Sequence, residues 1–181
     1  TVTRAAAIRR YLWNSERGVF QNYDFAAGKR IDVLSAETFA PLYVGMLTPD
    51  EAARVRQATM AGLLGPGGLK SSEHSPGLHQ WEGENMWMPL VEMATSGLNR
   101  YGYRDEAQTI ATRAITTVQR AFDETGSFFE RYDAESGSIP KDDGKKYPVQ
   151  PGFLWTNAIW YKLLKNYSEH SPQKIVEIPS R

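Results

Sequence analysis

The 181-residue chain carries 21 basic and 21 acidic side chains and no cysteine. That length suits one domain. A balanced charge with no Lys/Arg run longer than two argues against a nucleic-acid partner, which needs a basic surplus or stripe. A disulfide framework and a thiolate zinc site are excluded, and no run approaches the ~18 apolar residues of a membrane helix.

Lack of cysteine fits a reducing or an oxidising compartment, so periplasmic, secreted and cytoplasmic locations all stay open. No signal peptide is visible where Arg4, Arg9 and Arg10 flank a short Ala-rich stretch. A chain that starts at Thr1 without an initiator Met reads as a processed product or a piece of something longer. Aromatics make up 12% of the residues, with five Trp and nine Tyr. They either fill a core or line a ligand surface.

Residues 5–13 read as a helix, with Ala5, Ile8, Leu12 and Trp13 near one stripe. Residues 19–34 alternate aromatic and polar side chains around Asn22, Asp24 and a Gly28-Lys29 turn, which suits a hairpin or an extended loop. Residues 36–46 suit a short buried helix despite Pro41. Thr48-Pro49-Asp50-Glu51 is a helix start with a capping box, and that helix runs to about Leu64. Gly65-Pro66-Gly67-Gly68 breaks the chain, and residues 69–79 form a polar loop. The spacing predicts a helix over 84–101, closed by Gly102, and another over 105–122, closed by Thr125-Gly126. Residues 133–146 are a polar loop, 155–167 a final helix, and 168–181 an irregular tail.

These six helices fall into three pairs. The first of each pair is amphipathic, as an outer helix should be. Its partner is more apolar around its circumference, as an inner helix should be. The expected fold is all-α, about half of an (α/α)6 toroid, formed by residues 1–167. Three pairs make an arc, which leaves apolar inner faces exposed.

Phe128-Phe129-Glu130-Arg131-Tyr132-Asp133 sets one carboxylate between aromatic rings, ahead of a Gly/Ser/Lys-rich insert. Tyr147-Pro148-Val149-Gln150-Pro151-Gly152-Phe153-Leu154-Trp155-Thr156-Asn157 follows it. Rings that stack on sugar faces, amides that bond hydroxyls and a carboxylate beside them suit glycoside chemistry.

Three blocks, in order, resemble the trehalase family. Gln80-Trp81-Glu82-Gly83-Glu84-Asn85-Met86-Trp87-Met88-Pro89-Leu90 is similar to its signature Gln-Trp-Asp-x-Pro-Asn-Gly-Trp-x-Pro-Leu. Glu130-Arg131-Tyr132-Asp133 resembles its Glu-Lys-Tyr-Asp. The Tyr147–Asn157 block resembles its Tyr-x-x-Gln-x-Gly-Phe-Gly-Trp-Thr-Asn. Arg10-Tyr11-Leu12-Trp13 and Pro41-Leu42 also fit. The resemblance covers most of residues 5–165. It implies the C-terminal part of an inverting glycosidase on an (α/α)6 barrel that splits trehalose into glucose. The general acid, an aspartate in a Ser-Gly-Trp-Asp context, has no counterpart here, so the N-terminal half of the same enzyme, or a second chain, is the expected partner.

By the same resemblance Glu130 matches the general base. It would deprotonate a water that attacks the anomeric carbon, with acid and base roughly 6.5–9.5 Å apart. Arg131 is expected to point elsewhere, and the site to be polar enough to keep Glu130 ionised. Gln80, Trp81, Glu82, Asn85 and Trp87 are candidate sugar contacts, with helix capping or core packing as the alternative. Tyr147, Gln150, Phe153 and Trp155 would form the opposite wall, with a core role equally open to Trp155. No metal or other cofactor is expected: His74, His79 and His170 lack ligand spacing, and Gly65–Gly68 lacks the Lys-Ser/Thr of a phosphate loop.

Departures from the pattern fall at Glu82, Glu84, Met86 and Lys146, where the family has Asp, Pro, Gly and Glu. Met86 would add bulk beside the pocket. Lys146 would face it and alter the field around Glu130, so a related α-glucoside with a negative group is a further substrate class. A non-catalytic carbohydrate-binding remnant and a plain helical scaffold are the competing readings.

Overall fold

A computed structural model describes residues 2–74, 80–141 and 148–168. Helix α1, Val2–Leu12, leads into the two-residue strands β1, Trp13–Asn14, and β2, Val19–Phe20, which pair antiparallel. Strands β3, Tyr23–Asp24, and β4, Lys29–Arg30, form a second small hairpin. The Asp24 carboxylate accepts from the backbone of Ala26 and Ala27 in its turn. Of the hairpin or extended loop expected over 19–34, the hairpin is the one formed, preceded by a short strand.

A single 3-10 turn, Ala36–Thr38, opens helix α2, Phe39–Tyr43. Helix α3, Pro49–Gly62, starts as its sequence says. Thr48 accepts from the Glu51 amide, and the Glu51 carboxylate accepts from the Thr48 amide at 2.8 Å. Arg9 of α1 binds the same carboxylate at 2.8 Å. Strands β5, Leu64–Gly65, and β6, Gly68–Leu69, close a tight hairpin on the glycine-rich breaker.

Strand β7, Asn85–Met86, precedes helix α4, Met88–Arg100. This corrects the helix expected over 84–101. Trp87 is extended at φ −111° and ψ 124°, and Pro89 sits in the first turn. Asn85 and Met86 instead pair with Asp133 and Tyr132 of strand β8, Tyr132–Asp133. Helix α5, Arg104–Thr125, is three residues longer at its C-terminal end than the spacing suggests and is closed by Gly126 at φ +71°, a left-handed position that glycine fills without strain. Helix α6, Leu154–Tyr167, is the last helix among the described residues.

The core is centred on α4, which packs against α2, α5 and α6. Its buried face carries Met88, Leu90, Val91, Ala94, Leu98 and Gly97. A Cβ at Gly97 would stand 3.0 Å from the Tyr43 amide nitrogen and 3.1 Å from a Leu42 methyl, so glycine is what lets α2 lie close. On α5 the apolar residues Ala107, Ile110, Ala111, Ala114, Val118 and Ala121 are buried as one stripe, the amphipathic pattern its sequence predicts. The small side chains let it lie flat on α4. By contrast α6 buries only Thr156, Leu163 and Tyr167, while Leu154 and Tyr161 are 81% and 58% exposed. The chain is thus helix-rich, with four two-stranded ladders among the described residues in the loops between helices.

These connections are tied to one another. Arg17 binds Glu73 through two nitrogens at 3.0 and 2.8 Å and Asp32 at 2.8 Å. Glu73 also accepts from the Leu34 amide at 2.8 Å. Ser71 and Ser72 pass the connection on to Gly83 and Asn85. No helix among the described residues is long and apolar enough to cross a membrane. Residues of the expected tail beyond 168 lie outside the described residues.

Candidate active site

Glu130 lies just ahead of β8, in an irregular run that leads out of α5. Backbone hydrogen bonds hold it there. Its amide donates to the Gln150 carbonyl at 2.9 Å, and the Gly152 amide donates to Phe128 at 2.6 Å. The Thr156 hydroxyl donates to the Phe129 carbonyl at 2.7 Å. The Phe129 amide donates to the Tyr132 hydroxyl at 2.9 Å, and burial pushes that phenol up to about 12. The block around Glu130 is thus fastened to the Gln150–Trp155 block on one side and, through β8, to β7 on the other.

The Glu130 side chain is 2% exposed. Burial raises its pKa above the ordinary glutamate value, opposed by the Arg131 charge and a backbone hydrogen bond at Gln150. Removal from water disfavours the charged form. Burial therefore pushes this carboxylate up, while Arg131 and the hydrogen bond at Gln150 act in favour of its charged form.

Arg131 does not point elsewhere. It is as buried as Glu130, and its Nε stands 3.6 Å from Glu130 Oε1. One of its terminal nitrogens donates to Asn85 Oδ1. Sequence reasoning passed over this residue. Its signal was a guanidinium adjacent to the candidate carboxylate and flanked by rings.

The signature block surrounds the same place. Trp81 and Trp87 stack face to face, with centroids 3.9 Å apart and planes 6° from parallel. Trp155 meets both edge-on, at 6.3 and 5.9 Å, and Phe153 leans on Trp155 at 4.9 Å. The Trp155 indole donates to the Glu130 carbonyl at 3.4 Å. Two of the four rings differ sharply in exposure: Trp87 is 1% exposed and Trp81 42%. Trp87 therefore takes the core role, its indole donating to the Gln80 carbonyl at 2.8 Å, and Trp81 presents the open face.

Asn85 is buried, with its amide shared between the Glu82 carbonyl at 2.9 Å and Arg131. That use holds the loop together and occupies both ends of the group. Gln80 is buried and Glu82 half-buried, while the Gln150 side chain is exposed. Met86 adds no bulk to the open face: it is fully buried and packs onto the Gly68 backbone. Lys146 and Tyr147 lie outside the described residues. Two clefts of about 570 and 360 Å³ lie along α1, and neither includes a residue of the three blocks. The stacked rings form a wall that meets the Glu130 backbone through the Trp155 indole.

Comparison with known proteins bears on this arrangement. The family profile described as trehalase matches residues 1–168. The chain belongs to the trehalase family. The periplasmic trehalase of Citrobacter koseri is 38% identical over 161 residues, which are 89% of this trehalase-family chain and 28% of that relative. The chain therefore spans about 28% of the length of the curated relatives it matches. The solved neutral trehalase Nth1 of Saccharomyces cerevisiae superposes with a TM-score of 0.76 at 28% identity, over 90% of this chain and 29% of that one. A mannosylglycerate hydrolase of Thermus thermophilus, in complex with glucose, has a TM-score of 0.69 at 23% identity over 89% and 39%, a likeness of fold alone.

Proposed function

We propose that this chain is part of a glycoside hydrolase that splits trehalose, or a closely related α-glucoside, into glucose with inversion at the anomeric carbon. Glu130 is the general base. Its carboxylate takes a proton from water as that water attacks, and an aspartate from polypeptide outside these residues protonates the leaving oxygen. The same outside polypeptide completes an (α/α)6 ring of which α1–α6 are about half. The exposed apolar residues Leu154 and Tyr161 of α6 support that reading, as does the fraction of its relatives' length that the chain spans.

The observation that carries the reading is the convergence of three sequence-distant family blocks on one buried carboxylate. Within it Trp81 and Trp155 stack on the apolar face of a glucosyl ring, and Gln150 bonds a hydroxyl. Gln80, Glu82 and Phe153 complete the wall. Trp87 and Asn85 serve from behind, holding Trp81 and the loop.

The test is hydrolysis of trehalose by this chain alone and with the remainder of a trehalase supplied, with the product anomer followed by NMR. Equal amounts of α- and β-glucose at early times are expected of inversion; α-glucose alone means retention. Glu130→Gln should abolish turnover and spare glucose binding. Because burial raises Glu130, activity should fall with acidity at a higher pH than for an ordinary glutamate. A rate unchanged in Glu130→Gln removes the base assignment.

A further inference from the structure

Two buried polar atoms near Glu130 have no hydrogen-bond partner among the described residues: Glu130 Oε1 and Arg131 Nε. They face each other across 3.6 Å. That gap is too long for a hydrogen bond and too short for the two charges to ignore each other. Both side chains are at least 98% buried, with exposures of 2% and 1%, so no bulk water screens them. The other end of the guanidinium is fixed on Asn85 Oδ1, and Asn85 is itself fixed on the Glu82 carbonyl.

We propose that Arg131 is a positioning residue for the hydrolysis: a buried counter-ion, anchored by Asn85 of the signature loop, that keeps Glu130 charged and its Oε1 aimed. The inference rests on the reading of Glu130 as the base. A planar fork can hold two directions at once, where a lysine ammonium is a single point. Arg131 therefore couples the aromatic signature loop to the carboxylate, so a shift of β7 reaches Glu130 through one side chain. The 3.6 Å gap leaves Oε1 a lone pair free to accept a proton, whereas a tight bidentate pair would occupy it.

The groups around Glu130 come from each neighbouring segment. Asn85 comes from β7, the backbone of Gln150 and the indole of Trp155 from the segment entering α6, and Tyr132 and Asp133 from β8. Tyr132 is spent on the Phe129 amide and Asp133 on its own turn, at Glu135 and Ser136. Among the described residues, Arg131 is the charge that acts on Glu130.

The experiment is carbon-13 NMR titration of Glu130 in the chain itself, which needs no turnover. In Arg131→Gln the Glu130 midpoint should rise by about one to three pH units. Arg131→Lys, the residue of the family motif, should bring it back toward wild type. An unmoved midpoint in Arg131→Gln overturns the inference. Should these variants not fold, nitrogen-15 NMR of wild type decides. The Arg131 Nε resonance should titrate with the Glu130 midpoint, and an Nε silent across that range overturns it. The two readings fail separately: turnover persisting in Glu130→Gln sinks the base assignment, whereas a midpoint indifferent to Arg131 sinks only the counter-ion.

Discussion

Trp81 and Trp87 are neighbours in the same stack, yet they carry different burdens. Trp87 is 1% exposed and Trp81 42%. Trp87→Ala should cost about 3–5 kcal/mol of stability, the range for a buried aromatic, read as a fall in the urea midpoint. Trp81→Ala should cost about 1 kcal/mol or less in stability and weaken glucose binding about three- to tenfold, the worth of one ring face, read by calorimetry. Equal stability losses would contradict the assignment of Trp81 to the open face. Residue spacing alone could not separate the two rings. The signature block contains no regular helix before Met88, so no periodicity says which ring turns inward. Arg131 was illegible for a related reason. Adjacent side chains diverge in a strand, but β8 begins only at Tyr132, and ahead of it Glu130 and Arg131 are free to converge.

The helices were the readable part. The 3.6-residue stripe of α5 and the capping box of α3 are local signals, and both appear where the sequence puts them. The start of α4 was not local. Its first predicted turn is diverted into β7 because Asn85 and Met86 find partners in β8, nearly fifty residues on. Likewise, nothing in the sequence around Gly97 announces that α2 crosses there. Its cause is the 3.0 Å approach to the Tyr43 backbone. Gly97→Val should therefore destabilise the chain by about 1–3 kcal/mol through overpacking, although a Cβ would favour the helix itself. Chemical denaturation measures it, and a neutral or stabilising effect would mean that α2 can retreat at little cost.

For the whole molecule, stability against acid depends on how the connections are tied. Hydrogen bonds from Arg17 hold the Glu73 carboxylate below its ordinary value, against the opposing effect of desolvation. A depressed value means that the folded chain binds fewer protons than the unfolded one in that window. The contribution is present above the unfolded value of about 4.3 and is lost as pH falls through the folded one. Glu73→Gln should thus cost about 1 kcal/mol near pH 7, discounted for partial exposure. The difference should close in acid, once pH has fallen through the folded value, as followed by thermal melts there and at pH 7. A gap that is the same at both would show that the pair acts by packing and not by charge.

The β7–β8 pairing carries a consequence for how the protein reaches its shape. Met86 and Tyr132 are paired directly, and Glu130 is pinned in turn by the carbonyl of Gln150. The tethers from Gln150 and Trp155 to the candidate base close loops of twenty residues or more. Long closures are slow because chain entropy is lost before the contact forms. The helices can form from nearby residues, whereas the candidate site has to wait for the segment around Gln150 to return. A truncation before Gln150 would leave most of the helical content in place and no assembled centre.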